Sequence, residues 1–398
     1  MNVIALCFWI SVFIIFYTFI GYGILLFFLI KLRRLIKGRR KIPQNLAELP
    51  TLTLIVAAYN EEDFIESKIE NTLALVYPPE KISYLFVTDG SSDHTPDIIA
   101  QHSGVKLLHN AQRRGKINAV HRAMQEVETD IVVFTDANTI LNEQALINIA
   151  RHYADKKVGA VSGEKRVTIS AVSDATAGEG FYWKYESTLK KWDAELFSVM
   201  GAAGELFSIR TALYEPVESD TILDDFMISM SIVKNGYRII YEPEAYAMEE
   251  SSSDTKEELK RKVRIAAGGI QSIRRLSTLL NPLKNFVLSF QYISHRVLRW
   301  SVTPFLLILA LVLNAFLLNQ GDDIYKVAFL CQVLFYTLAL CGWVLEAKTL
   351  RIKFLFIPYY FCFMNYAVIA GIHRYMNGKQ SENWVKAKRK QVKQKFST

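Results

Sequence analysis

The 398-residue chain is 51% hydrophobic with a positive mean hydropathy, more apolar than a wholly water-soluble protein of this length, so part of it is expected in lipid. Its formal charge of +8 gathers in basic runs at 31–41, 256–275 and 374–395, each beside an apolar segment; anionic headgroups are the expected partner and nucleic acid is not. Cys7, Cys331, Cys341 and Cys362 all fall in apolar stretches without metal-type spacing, which argues against a disulfide framework and a cysteine metal site.

Residues 1–30, MNVIALCFWISVFIIFYTFIGYGILLFFLI, carry no charged side chain and run directly into KLRRLIKGRRK. About 20 apolar residues cross a bilayer as a helix. The stretch lacks the basic start, short core and small-residue cleavage site of a secretory signal, so residues 1–45 read as an uncleaved anchor with a basic linker. Lys and Arg beside a span mark the cytoplasmic face, which places the next region, 46–282, in the cytoplasm.

Within 46–282, strand-like runs at 52–59, 83–89, 105–110, 130–136 and 158–167 alternate with helical patterns at 61–75, 95–102, 115–127 and 142–154. That alternation predicts an α/β fold, a Rossmann-like, mainly parallel sheet covered on both faces. Such sheets bind ligands beyond the carboxyl ends of their strands, and polar residues collect there: Tyr59, Asn60 and Glu61 after the first, Asp89 to Asp93 after the second, Asp136 to Asn138 after the fourth.

Asp136 and Asn138 stand at i and i+2, so both oxygens can turn toward one hard cation such as Mg2+ or Mn2+. An Asx-turn accounts for the same two residues without any metal. Farther on, GAAGELFSIR brings Gly201 and Gly204, which permit close backbone approach, and TILDDF puts Asp224 and Asp225 at a helix start, where acids are favoured regardless of function. FYWKYESTLKKW (181–192) offers aromatic faces, Trp183 above all, for a sugar or for packing.

From 283 to 300 the chain is too interrupted to span and suits an interfacial amphipathic helix. Three apolar segments follow at 303–319, 325–345 and 354–372, giving a membrane region at 301–375 and a basic tail at 376–398. Three further crossings would carry that tail outside, against the distribution of positive charge, so the number of crossings is left open at the Pro358 segment.

In this order the motifs AAYNEE, DGSSDHT, DAN and LDDF resemble those of glycosyltransferase family 2, in its membrane-associated group with the cellulose, hyaluronan and poly-N-acetylglucosamine synthases. NGYRIIYEPEAYAMEE is similar to the strand pair that follows the family's catalytic base. The resemblance runs from about residue 51 to the end and implies a GT-A fold and inverting transfer from a nucleotide sugar, a UDP-sugar first, to a saccharide or lipid-linked acceptor in envelope or extracellular polysaccharide synthesis. It implies a bacterial inner or plasma membrane location. It also implies roles: Tyr59, Asn60, Glu61 and Asp89 on the nucleotide, Lys116 on the nucleotide or its phosphates, Asp136 with Asn138 on the metal, Asp225 as general base and Asp224 as the acid that tunes it. Gly201, Gly204, Trp183, Arg261 and Arg264 would serve the diphosphate or acceptor.

Three departures qualify the resemblance. Asn138 replaces the last acid of the family's DxD element, and Asp224 the glutamate of its ED element. Where long-chain synthases carry QxxRW, this chain has RKVRI (261–265), which keeps Arg264 and loses the indole. Single-sugar transfer therefore competes with processive polymerisation. A noncatalytic nucleotide-sugar-binding membrane sensor is the alternative class; a transporter lacks acids within the spans, and a dehydrogenase lacks GxGxxG after the first strand.

Overall fold

Leu52, Leu54, Val56 and Ala58 are buried on one side of strand β1 (Leu52–Ala58) and Ile55 on the other, as expected of a strand with covered faces. In the computed structural model, which describes residues 3–39, 49–168, 176–250, 255–348 and 352–378, β1 pairs in parallel with β2 (Ile82–Asp89) and β4 (Ile131–Asp136). β3 (Lys106–Asn110) adds in parallel beside β2. The four strands alternate with the helices Ile65–Leu73, Thr95–Ala100 and Lys116–Met124, close to the ranges the sequence predicts.

The register sets the site. Ala57 lies opposite Asp136, Ala58 opposite Thr88, and Asp89 opposite Asn110, so three polar strand ends arrive at one edge. Two short strands were not expected: β5 (Thr139–Leu141), directly after the Asp136 turn, and β7 (Leu206–Arg210), which runs antiparallel to β4. With β6 spanning Val158–Thr168 and β8 Arg238–Glu250, the eight strands form one mixed sheet in the order β3-β2-β1-β4-β7-β6-β8-β5. The expected strand pair after the base is instead a single strand, β8 (Arg238–Glu250), whose register to β6 shifts near Pro243. Proline has no N–H to give the ladder, so the strand bulges there without ending.

Of the described residues, those within Arg39–Ile169 and Phe197–Glu258 form one compact unit with this sheet, and those within Met1–Gly38, Ser170–Leu196 and Leu259–Gln380 form another. The second unit contains four helices long and apolar enough to cross a membrane: Val3–Lys37, Thr303–Gln320, Asp323–Glu346 and Phe354–Met376. Phe13, Phe28, Leu330 and Phe354 stand exposed on them, as lipid-facing side chains do.

The segment expected to lie at the interface comprises the helices Phe286–Tyr292 and Leu298–Trp300, joined by a π-helical turn, Ile293–Val297. Its inward face is mixed: the polar Ser289, Gln291, Ser294 and His295 are buried alongside Leu288 and Tyr292, while Leu283 and Phe286 are exposed. His295 is held between Asp193 and Glu186 of the helix Thr176–Leu196, and Tyr22 donates to the same Asp193. Arg299 and Arg296 also reach Glu186 at 2.9 and 3.3 Å. Burial disfavours the Glu186 charge, but His295 and the two arginines outweigh it and hold the carboxyl well below its ordinary range.

Candidate active site

At the end of β2, Asp89 is buried at 5% exposure. Its Oδ2 accepts the backbone N–H groups of Arg114 and Gly115, each at 2.7 Å, and Arg122 approaches Oδ1 at 3.6 Å. The loop can come this close because Gly90 adopts φ +68°, and a Cβ there would stand 2.7 Å from the Arg113 backbone. Arg113 in turn lays its guanidinium 3.9 Å over the Tyr59 ring. Tyr59, Asp89, Arg113, Gly115 and Lys116 line one cavity.

The motif after β1 braces the loop after β2. Asn60 sits at φ +53°, a conformation Asn tolerates better than most residues, and its Oδ1 accepts from the Ser92 N–H at 2.8 Å. Glu61 is buried, and its N–H donates to Thr95 Oγ1 at 2.8 Å. Asp93, one of the polar residues after the second strand, accepts from the Thr95 and Glu62 N–H groups.

Next along the edge, a second cavity is lined by Lys116, Thr135, Asp136, Gly204, Asp224 and Ile228, among others. Lys116 Nζ lies 2.8 Å from Asp136 Oδ1 and 3.8 Å from Asp224 Oδ2. Burial opposes its charge, but Asp136 and Asp224 overcome that cost and raise its pKa above the ordinary lysine value. The lysine therefore stays cationic. Asp224 and Asp225 open the helix Asp224–Lys234.

Asp225 is the strongly perturbed acid. Its pKa is pushed up to about 7, by burial first and by the Asp224 charge second, with Lys116 and the Phe226 N–H pulling the other way. Asp224, expected to tune its neighbour, does so by charge repulsion, but desolvation is the larger cause. Gly204 makes this packing possible, since a Cβ on it would stand 2.8 Å from Asp225 Oδ2, and Gly201, at φ +88°, turns against the Phe226 ring. The close approaches these glycines permit in this structure are to the acid-bearing helix.

Asp136 and Asn138 flank the tight turn between β4 and β5, both half-buried. Among the described residues no group of three or more His, Cys, Asp and Glu side chains is arranged to hold a metal alone. That donor set suits a cation whose remaining ligands are substrate phosphate and water, the usual habit of Mg2+.

The structure thus gathers Tyr59, Asn60, Glu61, Asp89, Lys116, Asp136, Asn138, Gly201, Gly204, Asp224 and Asp225 in one unit. Arg261 and Arg264 belong to the other, half-buried in the helix Thr255–Arg275, and the side chain of Trp183 lies outside the described residues. Sequence reasoning missed Arg113, Arg122 and Glu205. A second arginine beside the GK of RRGK was a visible signal for the first; Arg122 and Glu205 had none.

A mixed sheet with acids and a lysine at its carboxyl edge, closed by an acid pair at a helix start, is a GT-A fold. The Pyrobaculum calidifontis mannosyltransferase PcManGT, solved in complex with GDP-Man and Mn2+, superposes with a TM-score of 0.70 at 22% identity, over 94% of this chain and 100% of that one. The model of Glycosyltransferase like family 2 matches residues 50–268, over half of the chain, and the chain belongs to that family. It is 28% identical over 261 residues to the poly-beta-1,6-N-acetyl-D-glucosamine synthase of Staphylococcus aureus (strain MSSA476), across 63% of this chain and 62% of that protein's length. It is 25% identical over 318 residues to the protein described as probable glycosyltransferase YdaM of Bacillus subtilis (strain 168), across 74% and 73%.

Proposed function

We propose that this chain is a membrane-bound inverting glycosyltransferase that moves a sugar from a nucleotide sugar, a UDP-sugar first, onto a hydroxyl of a polysaccharide or lipid-linked saccharide. The carrying observation is the convergence of Lys116, Asp136, Asp224 and Asp225 at one strand edge, a fixed cation beside a carboxyl whose pKa is raised to about 7. Such a pair suits a reaction that expels an anion and removes a proton.

In this reading Tyr59, Asn60, Glu61 and Asp89 hold the nucleoside and Lys116 meets the diphosphate. Asp136 and Asn138 would hold Mg2+ or Mn2+, which supplies positive charge to the departing diphosphate. Asp225 takes the acceptor hydroxyl proton as the new oxygen–carbon bond forms on the face opposite the leaving group, and the electron pair of the sugar–phosphate bond departs with the diphosphate. A single displacement inverts the anomeric centre. Arg261 and Arg264 are further candidates for the diphosphate, and Trp183 for the acceptor. The domain at 46–282 would face the cytoplasm, where activated nucleotide sugars are made.

The name of the relative, poly-beta-1,6-N-acetyl-D-glucosamine synthase, supports a polysaccharide product, and this reading places that product in the envelope or outside the cell. RKVRI in place of QxxRW favours transfer of one sugar to a lipid carrier as the second reading. Purified protein in detergent, incubated with a panel of nucleotide sugars and divalent ion, decides between the classes. Release of nucleoside diphosphate supports the enzyme, and tight binding without release supports a sensor. The length of the product separates polymerisation from single transfer.

A further inference from the structure

Lys68 lies in the helix Ile65–Leu73, where positions 65, 68, 69 and 72 share one face, and all four residues there are buried. A lysine at 0% exposure in that stripe is expensive: burial pulls its pKa down to about 7, opposed by the Asp136 charge. Among the described residues no carboxylate forms an ion pair with it. Instead Nζ donates to Thr135 Oγ1 at 3.1 Å, to the Thr139 carbonyl at 2.8 Å and to Thr139 Oγ1 at 3.4 Å. An ammonium has three protons, and here it has three acceptors.

Those acceptors lead to the site. Thr139 Oγ1 donates to the Asp136 carbonyl at 2.9 Å, so Lys68 and Thr139 together pin the turn that carries Asp136 and Asn138. Thr135 Oγ1 donates to the Glu205 carbonyl at 2.9 Å, and Glu205 follows Gly204, the residue packed on Asp225. Lys165 holds the Glu205 side chain at 2.5 Å. Packing alone does not call for this arrangement, because a methionine would fill the same volume without a charge to desolvate.

We propose that Lys68 is a positioning residue that fixes the Asp136–Asn138 turn through Thr135 and Thr139 and ties that turn, through Thr135, to the glycine loop against Asp225. The proposal rests on the reading of Asp136 and Asn138 as divalent-cation ligands.

The test uses the full chain in detergent, wild type beside Lys68→Met and Thr139→Val, with Mn2+ binding followed by electron paramagnetic resonance in the presence of UDP. Thermal melting and uridine binding are measured alongside. In Lys68→Met the Mn2+ dissociation constant is expected to rise roughly 10- to 100-fold, as it does when groups that orient metal ligands are removed, with uridine binding unchanged. Thr139→Val keeps the lysine and the side-chain size, and it is expected to move the constant in the same direction by less. Unchanged or tighter Mn2+ binding in a folded Lys68→Met overturns the proposal. Should Lys68→Met fail to fold, unchanged binding in Thr139→Val overturns it. A wild-type chain that turns over fully in chelator removes the metal reading and this proposal together, whereas a metal-dependent wild type with an unaffected variant removes the proposal alone.

Discussion

Turnover should switch on with the ionisation of Asp225. The carboxyl is pushed up to about 7 by burial and by Asp224, with Lys116 opposing, and a general base works only when ionised. For a pKa of about 7, roughly a tenth of the enzyme is competent at pH 6 and nine-tenths at pH 8, so kcat/KM should rise about tenfold per pH unit below the inflection and then level off. Activity is therefore lost as pH falls through about 7, and not through the range of an ordinary aspartate near 4. The inflection belongs to the Asp224–Asp225 pair, since their charges interact. The donor does not confuse the measurement, because a diphosphate esterified at both ends has no group that titrates near neutrality. Initial rates of diphosphate release at low donor concentration and saturating metal give the profile. Asp224→Asn removes the repulsion and should move the acid limb to lower pH. A profile flat from about pH 5.5 to 8, or a limb that Asp224→Asn moves upward, would refute the assignment.

Asp225→Asn should leave nucleotide-sugar affinity by calorimetry nearly unchanged while turnover falls by on the order of 10²- to 10⁴-fold. The same variant should melt higher than wild type at pH 8. A carboxyl whose folded pKa is raised stabilises the fold below its unfolded pKa and loses that contribution as pH rises through about 7, so the gap should narrow as pH falls. Gly204→Ala places a methyl 2.8 Å from Asp225 Oδ2 and should lower kcat on the order of 10- to 100-fold without unfolding the chain, checked by steady-state rates beside circular dichroism. Asp136→Ala, or chelator added to wild type, should abolish turnover; full activity in chelator counts against the metal. A cysteine placed at Lys256 in a chain stripped of its four native cysteines should resist an impermeant maleimide added to intact cells, and ready labelling would reverse the orientation.

Much of this protein was legible in one dimension. The uncharged opening 30 residues followed by KLRRLIKGRRK, and the three later apolar runs, correspond to the helices able to cross a membrane, because lipid imposes length and composition directly on sequence. The strands ending in Tyr59, Asp89 and Asp136 were equally plain: in a parallel sheet every carboxyl end lies on the same edge, so a polar residue after an apolar run has a known destination. What stayed hidden depends on partners distant in the chain. β7 falls in a stretch that reads as a glycine-rich loop, and its place beside β4 is set by pairing across some seventy positions. That a lysine can sit at position 68 in the buried stripe depends on Thr135 and Thr139, distant in the chain, which supply the acceptors for its ammonium. Asp225 is one of two chemically identical neighbours in the sequence, and it is the fold that buries it, brings Gly204 and Glu205 against it and pushes its pKa up to about 7. Sequence determines which groups can ionise, but the solvent each one loses and the charges each one meets are set by tertiary packing.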